Sequence, residues 1–436
     1  MEGASPLQAH TLNKGLRWMN NPAQVLPLTD AVLRLIWQEH QISRADIARR
    51  LKLSRSTVTE IVKELLQTSF VNEVGRGSSS GGRRPRMLEF QDEARCILGV
   101  DIGSSHVSVV LTDLRCRLIK WKTADHPVSI DPEGTRALVI KLCDECLASY
   151  GARNIPLLSI GVSVPSPVDP THPERIPEVV LPAWKGQSGI EHLRKKYGVP
   201  VFVDNDANLG ALGEQWWGAA SGVDNMIFVK LGGGIGAGYI LNGELYRGAE
   251  GIAGELGHLP INSHGPTCVC GLKGCLVTYL GSYALKARAR VLLAKQSERE
   301  RYKQKHMEGQ PKHKLVDHDV TIAAIKKAAV AGDKVALQVV HEAAEHLGVA
   351  LTGLINIINP RMVVVGGGMS ALGDLFMVPL REKVKRSTLV SLAAGVRVQA
   401  SVLGAKVIAL GASTLALEVA FSAPNIIERA NEPAAF

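Results

Sequence analysis

Apolar positions in the first ninety residues recur at helical spacing. Leu28, Val32, Leu35 and Ile36 share one face and predict a helix that ends near His40. Ser43 with Asp46 after it makes a capping box, in which a side-chain hydroxyl meets an orphan backbone amide, and opens a second helix through Leu51. The link from Lys52 to Ser54 is short. Ser54 then caps a third helix, with an apolar stripe of Val58, Ile61, Val62 and Leu65 and an outer face of Arg55, Ser56, Thr57, Thr59 and Lys63. Three short helices with a tight turn between the second and third predict a helix-turn-helix. Phe70–Val74 and Arg86–Phe90 predict two strands on either side of the loop GRGSSSGGRRP, which together form a β-wing. Ahead of these elements, residues 1–24 read as a polar tail with one short helix at most, broken by Asn20, Asn21 and Pro22. Residues 25–92 read as a winged helix-turn-helix.

Near Cys96 the period changes. The run ILGVDIGSSHVSVVLTDL predicts a buried strand, a glycine turn and a second strand. Ser159–Val164, Val199–Val203, Met226–Leu231 and Met362–Val365 are further strands. Helical runs intervene at Glu133–Tyr150, Leu193–Tyr197, Ser282–Leu293, Ala336–Ile358 and Val407–Phe421. This alternation predicts an α/β domain over residues 93–436. Gln296 to His318 reads as an exposed hydrophilic loop, with His306, His313 and His318 solvated rather than ligating.

Composition sharpens the first module most. Between Arg44 and Phe90 stand Arg44, Arg49, Arg50, Lys52, Arg55, Lys63, Arg76, Arg83, Arg84 and Arg86 against Asp46, Glu60, Glu64, Glu73 and Glu89, a net charge of +5. The bases gather at the start of the third helix and on the wing, the footprint of a nucleic-acid contact; a bundle for protein contacts is the alternative. The whole chain carries +9. No apolar run of spanning length and no signal-like start are seen, so membrane insertion and secretion are not expected. Seven cysteines, three of them clustered, point to a reducing cytoplasm rather than a disulfide framework. Cys143 and Cys146 fall on one face of a helical run and read as packing rather than redox chemistry.

The most specific chemistry lies in GELGHLPINSHGPTCVCGLKGC, where His258, Cys268, Cys270 and Cys275 occur within one loop-rich stretch. Three thiolates and an imidazole fill the tetrahedral shell that zinc prefers, which implies a structural ion; the alternative is a glycine turn with buried, unliganded thiols. Three glycine turns can offer backbone amides to phosphate: Asp101–Ser105, Gly232–Gly238 and Gly366–Gly368. Asp206 follows a strand, where a carboxylate can hold a hydroxyl or take its proton. Glu255 stands three residues before His258. Taken singly, each carboxylate reads better as a helix cap or a surface acid.

These residues carry a resemblance. Gly82-Arg-Arg-Pro85, Leu181-Pro-Ala-Trp184-Lys-Gly186, Asp204-Asn205-Asp206-Ala207-Asn208, Gly254-Glu-Leu-Gly-His258 and Cys268-Val-Cys270-Gly-Leu-Lys-Gly-Cys275 resemble the ROK family (repressors, open reading frames, kinases), in its helix-turn-helix branch of sugar-responsive repressors, from about Leu26 to Ala420. The resemblance implies a two-lobed fold of the sugar kinase/actin type, ribonuclease H-like in each lobe. It implies that Asn205, Asp206, Glu255 and His258 face a sugar, His258 also binding zinc, and that Asp206 corresponds to the base of the kinases. DNA contacts then fall to Arg55, Ser56, Thr57 and Thr59 on the third helix and to Arg83, Arg84 and Arg86 on the wing. The implied partners are operator DNA, a small sugar or sugar-phosphate effector, and further copies of the chain in a homodimer or homotetramer. Closure of two lobes on the sugar, with Asp206 on one wall and Glu255 on the other, is the expected switch.

Departures from the family pattern bear on the activity. The kinase turn aspartate-x-glycine-glycine-threonine is here Asp101-Ile-Gly103-Ser104-Ser105. Gly233 stands for a threonine, Ser166 for a glycine, and Val277 for a sugar-binding glutamate. Lost hydroxyls weaken a kinase reading, because positioning is nearly all of phosphoryl-transfer catalysis. A sugar-responsive repressor is the favoured expectation. An ATP-dependent sugar kinase with a DNA-binding module, and a repressor controlled by a protein partner, are the competing ones.

Overall fold

The computed structural model describes residues 27–76, 85–153, 155–304, 320–387 and 395–426. The tail 1–24, Arg83, Arg84, His306, His313 and His318 lie outside them. The chain divides into two compact units: residues up to Asp204 together with those from Ala409 onward, and residues Asn205–Ile408.

In the first unit the predicted helices form as read. They are α1 (Leu28–Glu39), α2 (Arg44–Leu51) and α3 (Arg55–Leu65). Ser43 Oγ accepts from the Asp46 amide at 3.1 Å, and Ser54 Oγ from the Thr57 amide at 3.0 Å. Lys52 turns the chain between α2 and α3 at φ +54°. A three-residue strand that the periodicity did not show, β1 (Gln41–Ser43), joins β2 (Val71–Arg76) and β3 (Arg86–Phe90) in a sheet of order β1-β3-β2.

The rest of this unit is a five-stranded sheet of order β6-β5-β4-β7-β8, built from β4 (Cys96–Ile102), β5 (His106–Thr112), β6 (Leu118–Asp125), β7 (Leu157–Val164) and β8 (Val201–Asn205). Helices α4 (Pro132–Leu147) and α5 (Ile190–Tyr197) belong to it. β4 is buried along its whole length, as a strand covered on both faces must be. One cover comes from the helix Val407–Ser422: a Cβ on Gly99 or Gly161 would collide with the backbone oxygens of Ala409 and Ala412. That helix, with Gly404–Lys406 before it, is long and apolar enough to cross a membrane, contrary to the expectation that no such run exists. Its burial, 72%, identifies it as core. Cys143 and Cys146 are buried packing residues as expected, and burial pushes the Cys146 thiol up to about 11.

The helix-turn-helix is bound tightly within its unit. Trp37 Nε1 donates to the Leu114 carbonyl at 3.0 Å, and its ring meets Phe421 at 5.8 Å. Arg115, buried, lies 4.5 Å over the Trp37 ring, donates to the Trp37 carbonyl, and pairs with Asp92 at 2.9 Å. Asp30 accepts from the Asn425 amide at 2.6 Å.

The second unit repeats the sheet plan, with order β11-β10-β9-β12-β13. Its strands are β9 (Met226–Leu231), β10 (Ile235–Leu241), β11 (Glu244–Tyr246), β12 (Met362–Gly367) and β13 (Arg397–Ala400). In both sheets an antiparallel trio ends on a strand whose other neighbour runs parallel, β4 beside β7 and β9 beside β12. The helices here are α6 (Asp206–Trp217), α7 (Val277–Leu280), α8 (Ser282–Gln304), α9 (Ile322–Val330), α10 (Lys334–Ile358) and α11 (Asp374–Ser387), with Val407–Ser422 numbered α12. The expected loop from Gln296 is corrected as far as Gln304, which continues α8, because SERERYKQ is rich in good helix formers. The expected turn Gly232–Gly238 is also corrected. Only Gly232–Gly234 turns, and Gly236 and Gly238 sit in β10, where Ala207 and Ala211 of α6 leave no room for side chains.

Candidate metal centre and ligand site

Four ligand atoms of His258, Cys268, Cys270 and Cys275 lie within 4.8 Å of one another. His258 Nδ1 is 3.6 Å from Cys268 Sγ, and Cys270 Sγ is 3.7 Å from Cys275 Sγ. A tetrahedron with Zn–S of about 2.3 Å and Zn–N of about 2.0–2.1 Å has S···S edges near ~3.8 Å and N···S edges near ~3.6 Å. These two edges match a four-ligand metal shell, and the other separations stay within 4.8 Å.

The backbone is built to hold this spacing. A 3-10 turn at Leu256–His258 presents the imidazole. The Cys268 amide donates to the Leu272 carbonyl at 2.8 Å, and Leu276 to Leu259 at 2.9 Å, tying the loop across its base. Gly274, at φ +67°, has the Asn262 carbonyl where a Cβ would stand, so no other residue fits. The Leu272 amide draws the Cys270 thiol down, whereas burial and the adjoining sulfurs push Cys275 up. Crowded thiolates of this kind are what a dication relieves.

Beside the cluster stand the carboxylates. Asn205 caps α6, its Oδ1 accepting from the Ala207 amide at 2.9 Å and from the Asn208 amide at 3.4 Å. Asp206 is the first residue of α6 and is 4% exposed. Lys230, an inward-facing position of β9 that sequence reasoning passed over, forms an ion pair with Asp206 Oδ2. Its signal was a lone cation in the apolar strand MIFVKL. Glu255 is exposed at its surface, yet protein crowds its carboxyl. This desolvation, with the Asp206 charge added, raises its pKa against the pull of His258. Asp206, Glu255 and His258 therefore act on one another electrostatically. Both carboxylates belong to the second unit, which corrects the expectation of opposite walls: the chain enters that unit at Asn205, one residue before Asp206.

The second and third glycine turns meet at the ends of the parallel strands β9 and β12, where the Gly368 amide donates to the Leu231 carbonyl at 2.9 Å. Ser282 Oγ donates to the Gly232 carbonyl at 3.1 Å. The first turn lies in the other unit. There Asp101 accepts from Ser163 Oγ at 2.9 Å and faces His106 Nε2 at 3.2 Å, and the His106 ring covers Gly103.

On α3, Arg55, Ser56 and Thr59 are exposed and Thr57 is half-buried. The hydroxyls of Ser56 and Thr57 both lie 2.8 Å from Ser54 Oγ, and Thr59 donates to the Arg55 carbonyl. Arg86 pairs with Glu73 at 2.7 Å, and Arg44 with the same carboxylate at 2.6 Å.

A model of the ROK family matches residues 97–419, and one of the MarR family residues 31–73. The xylose repressor of Caldicellulosiruptor bescii is 31% identical over 397 residues, covering 90% of this chain and 96% of that protein. The solved structure of a ROK family transcriptional regulator, homologous to the Escherichia coli MLC protein, superposes with a TM-score of 0.74 at 24% identity over 92% of this chain and 98% of that one. A ROK family glucokinase from Streptomyces griseus, solved with glucose and AMPPNP, gives a TM-score of 0.62 at 28% identity over 74% of this chain and 99% of that one.

Proposed function

The chain belongs to the ROK family, and we propose that it is a sugar-responsive transcriptional repressor, in which α3 and the wing read operator DNA and the carboxylate site reads a sugar. The observation that carries the reading is the union, in one chain similar to a named repressor over nine-tenths of its length, of a capped helix-turn-helix with a carboxylate site beside a four-ligand cluster. Arg55 reaches base edges in the major groove, with Ser56, Thr57 and Thr59 alongside; Arg83, Arg84 and Arg86 hold the backbone or the minor groove. The operator is two-fold and is read by a homodimer or homotetramer in the cytoplasm.

His258, Cys268, Cys270 and Cys275 hold a structural zinc, which supplies the cross-link that fixes the loop. With His258 Nδ1 committed to the metal, its ring proton sits on Nε2, which donates to a sugar oxygen. Asp206, Glu255 and Asn205 complete the polar lining.

The similarity to a glucokinase favours a second reading, an ATP-dependent sugar kinase. Two observations speak against it. The carboxylate in the position of the base is already engaged by Lys230, and the first phosphate turn is covered by His106. A third reading, release by a protein partner, rests on Val277. Operator binding measured against random DNA, with hexoses, xylose and amino sugars, and beside it a coupled ATPase assay, separates the three. Release by a sugar with no turnover supports the proposal; turnover of ATP with a sugar overturns it.

A further inference from the structure

Between α4 and α5 in the first unit lies a narrow cavity of about 330 Å³, its open mouth included. Its wall is largely apolar, with Ile102, Val139, Val162, Ile190 and Leu193. Two polar atoms of residues in that wall, Ser188 Oγ and Arg136 Nε, are buried and have no hydrogen-bond partner among the described residues. Ser188 is 3% exposed. A buried donor left unmatched is destabilising, so two of them on one cavity call for a partner.

The fold positions these groups without using them up. Trp184 Nε1 donates to the Val128 carbonyl at 2.8 Å, which fixes the ring, and the Arg136 guanidinium lies 5.9 Å from its centroid. Glu133, itself exposed, accepts from Arg136 Nη1 at 2.6 Å and leaves Nε. Arg136 Nε packs against Gly189, where φ is +76° and a Cβ would come within 2.7 Å of that nitrogen. Gly189 is also the N-cap of α5, and no side chain caps that helix. Glu191 in its first turn is exposed and pairs with Arg194. A hydroxyl, a guanidinium N–H and the amides that open a helix thus gather around Gly189, a donor set suited to an anion.

We infer that this cavity binds a small organic acid, whose carboxylate accepts from Ser188 Oγ, Arg136 Nε and the first amides of α5 while a short hydrocarbon tail lies against Val139 and Leu193. A mostly apolar wall with a few convergent donors is the usual make-up of a small-molecule site. The narrow space limits the tail to a few carbons. Asp206, Glu255 and His258 belong to the second unit, so the inference stands or falls independently of the sugar assignment.

The test is saturation-transfer NMR with thermal melts on the full chain, using butyrate, its neutral counterpart butyramide and inorganic phosphate, repeated for Ser188→Ala and Arg136→Gln. Butyrate binds at millimolar concentration. Butyramide, which lacks the charge, and phosphate, which lacks the tail, bind at least about tenfold more weakly. Ser188→Ala weakens butyrate by about tenfold or more, yet melts no lower than the parent, because its hydroxyl bonds nothing among the described residues. Arg136→Gln removes the preference for butyrate over butyramide; if that variant does not fold, Ser188→Ala decides alone. Absence of butyrate binding at millimolar concentration overturns the inference, and so does equal binding of butyramide or of phosphate. Butyrate binding left unchanged in Ser188→Ala overturns it as well.

Discussion

Two residues carry testable chemistry beyond the ligand site. Glu214 is fully buried in α6, accepting from the Ala219 amide at 2.8 Å and from Ser401 Oγ. Burial raises its pKa above the ordinary value despite those donors. The folded state then holds the proton at pH values where the unfolded chain has released it. Stability therefore falls as pH rises from the unfolded carboxylate value through the raised folded one, and the loss is complete above it. Glu214→Gln, which cannot ionise, is expected to flatten this part of the profile, as thermal melts between about pH 4 and 8 will show. Cys270→Ser leaves three ligands of the four. Zinc content by elemental analysis is expected to fall from one equivalent, with a lower melting temperature, because the loop loses its cross-link. A parent protein purified without chelator that contains no zinc would falsify the assignment. The cluster of His258, Cys268, Cys270 and Cys275 was legible in the sequence because four residues of ligating type crowd one loop. Lys230 was not, since a single lysine in a strand has no spacing to betray it.

At the scale of elements, α1 to α3 could be read ahead of the structure because caps and apolar stripes agree there, Ser43 and Ser54 at the starts and Val58, Ile61, Val62 and Leu65 in the core. α6 could not. Its sequence DANLGALGEQWW is buried on nearly every face and carries Gly210 where Phe228 packs, so no amphipathic stripe marks it. α11 was hidden by Pro379 within it. Substituting Arg55 by Ala is expected to lower operator affinity by about 1–3 kcal/mol while relaxing the preference at one base pair, whereas Arg84→Ala lowers affinity for all DNA and reduces the salt slope by about one. Anisotropy titrations at several salt concentrations distinguish the two outcomes. α12 has a second duty, since Phe421 at its end meets both Trp37 and Phe90. Phe421→Ala is expected to destabilise the first unit by about 3–5 kcal/mol, the cost of emptying an aromatic core site, read as a fall in denaturant midpoint.

For the whole molecule, the repeated sheet plan explains why the fold class was legible: glycine turns follow strands at corresponding places in both halves, and the motifs sit on them. The division at Asp204/Asn205 was not legible, because it falls inside a continuous polar motif, and it changes the account of switching. Asp206 and Glu255 share one unit, so on the proposed assignment the sugar acts first within that unit. Its consequence for DNA must pass through the chain crossings or between subunits. The helix-turn-helix is fixed to the first unit by Arg115, Trp37 and Asp30, so it moves with that unit. The most direct test is reciprocity. Operator affinity is measured with and without the sugar that releases it, and the affinity for that sugar with and without operator. The account predicts one and the same factor both ways, about 5- to 150-fold, and its disappearance in Asp206→Asn with operator affinity intact. Sugar binding that is indifferent to operator DNA, or an Asp206→Asn variant released at the parent's sugar concentration, would contradict it.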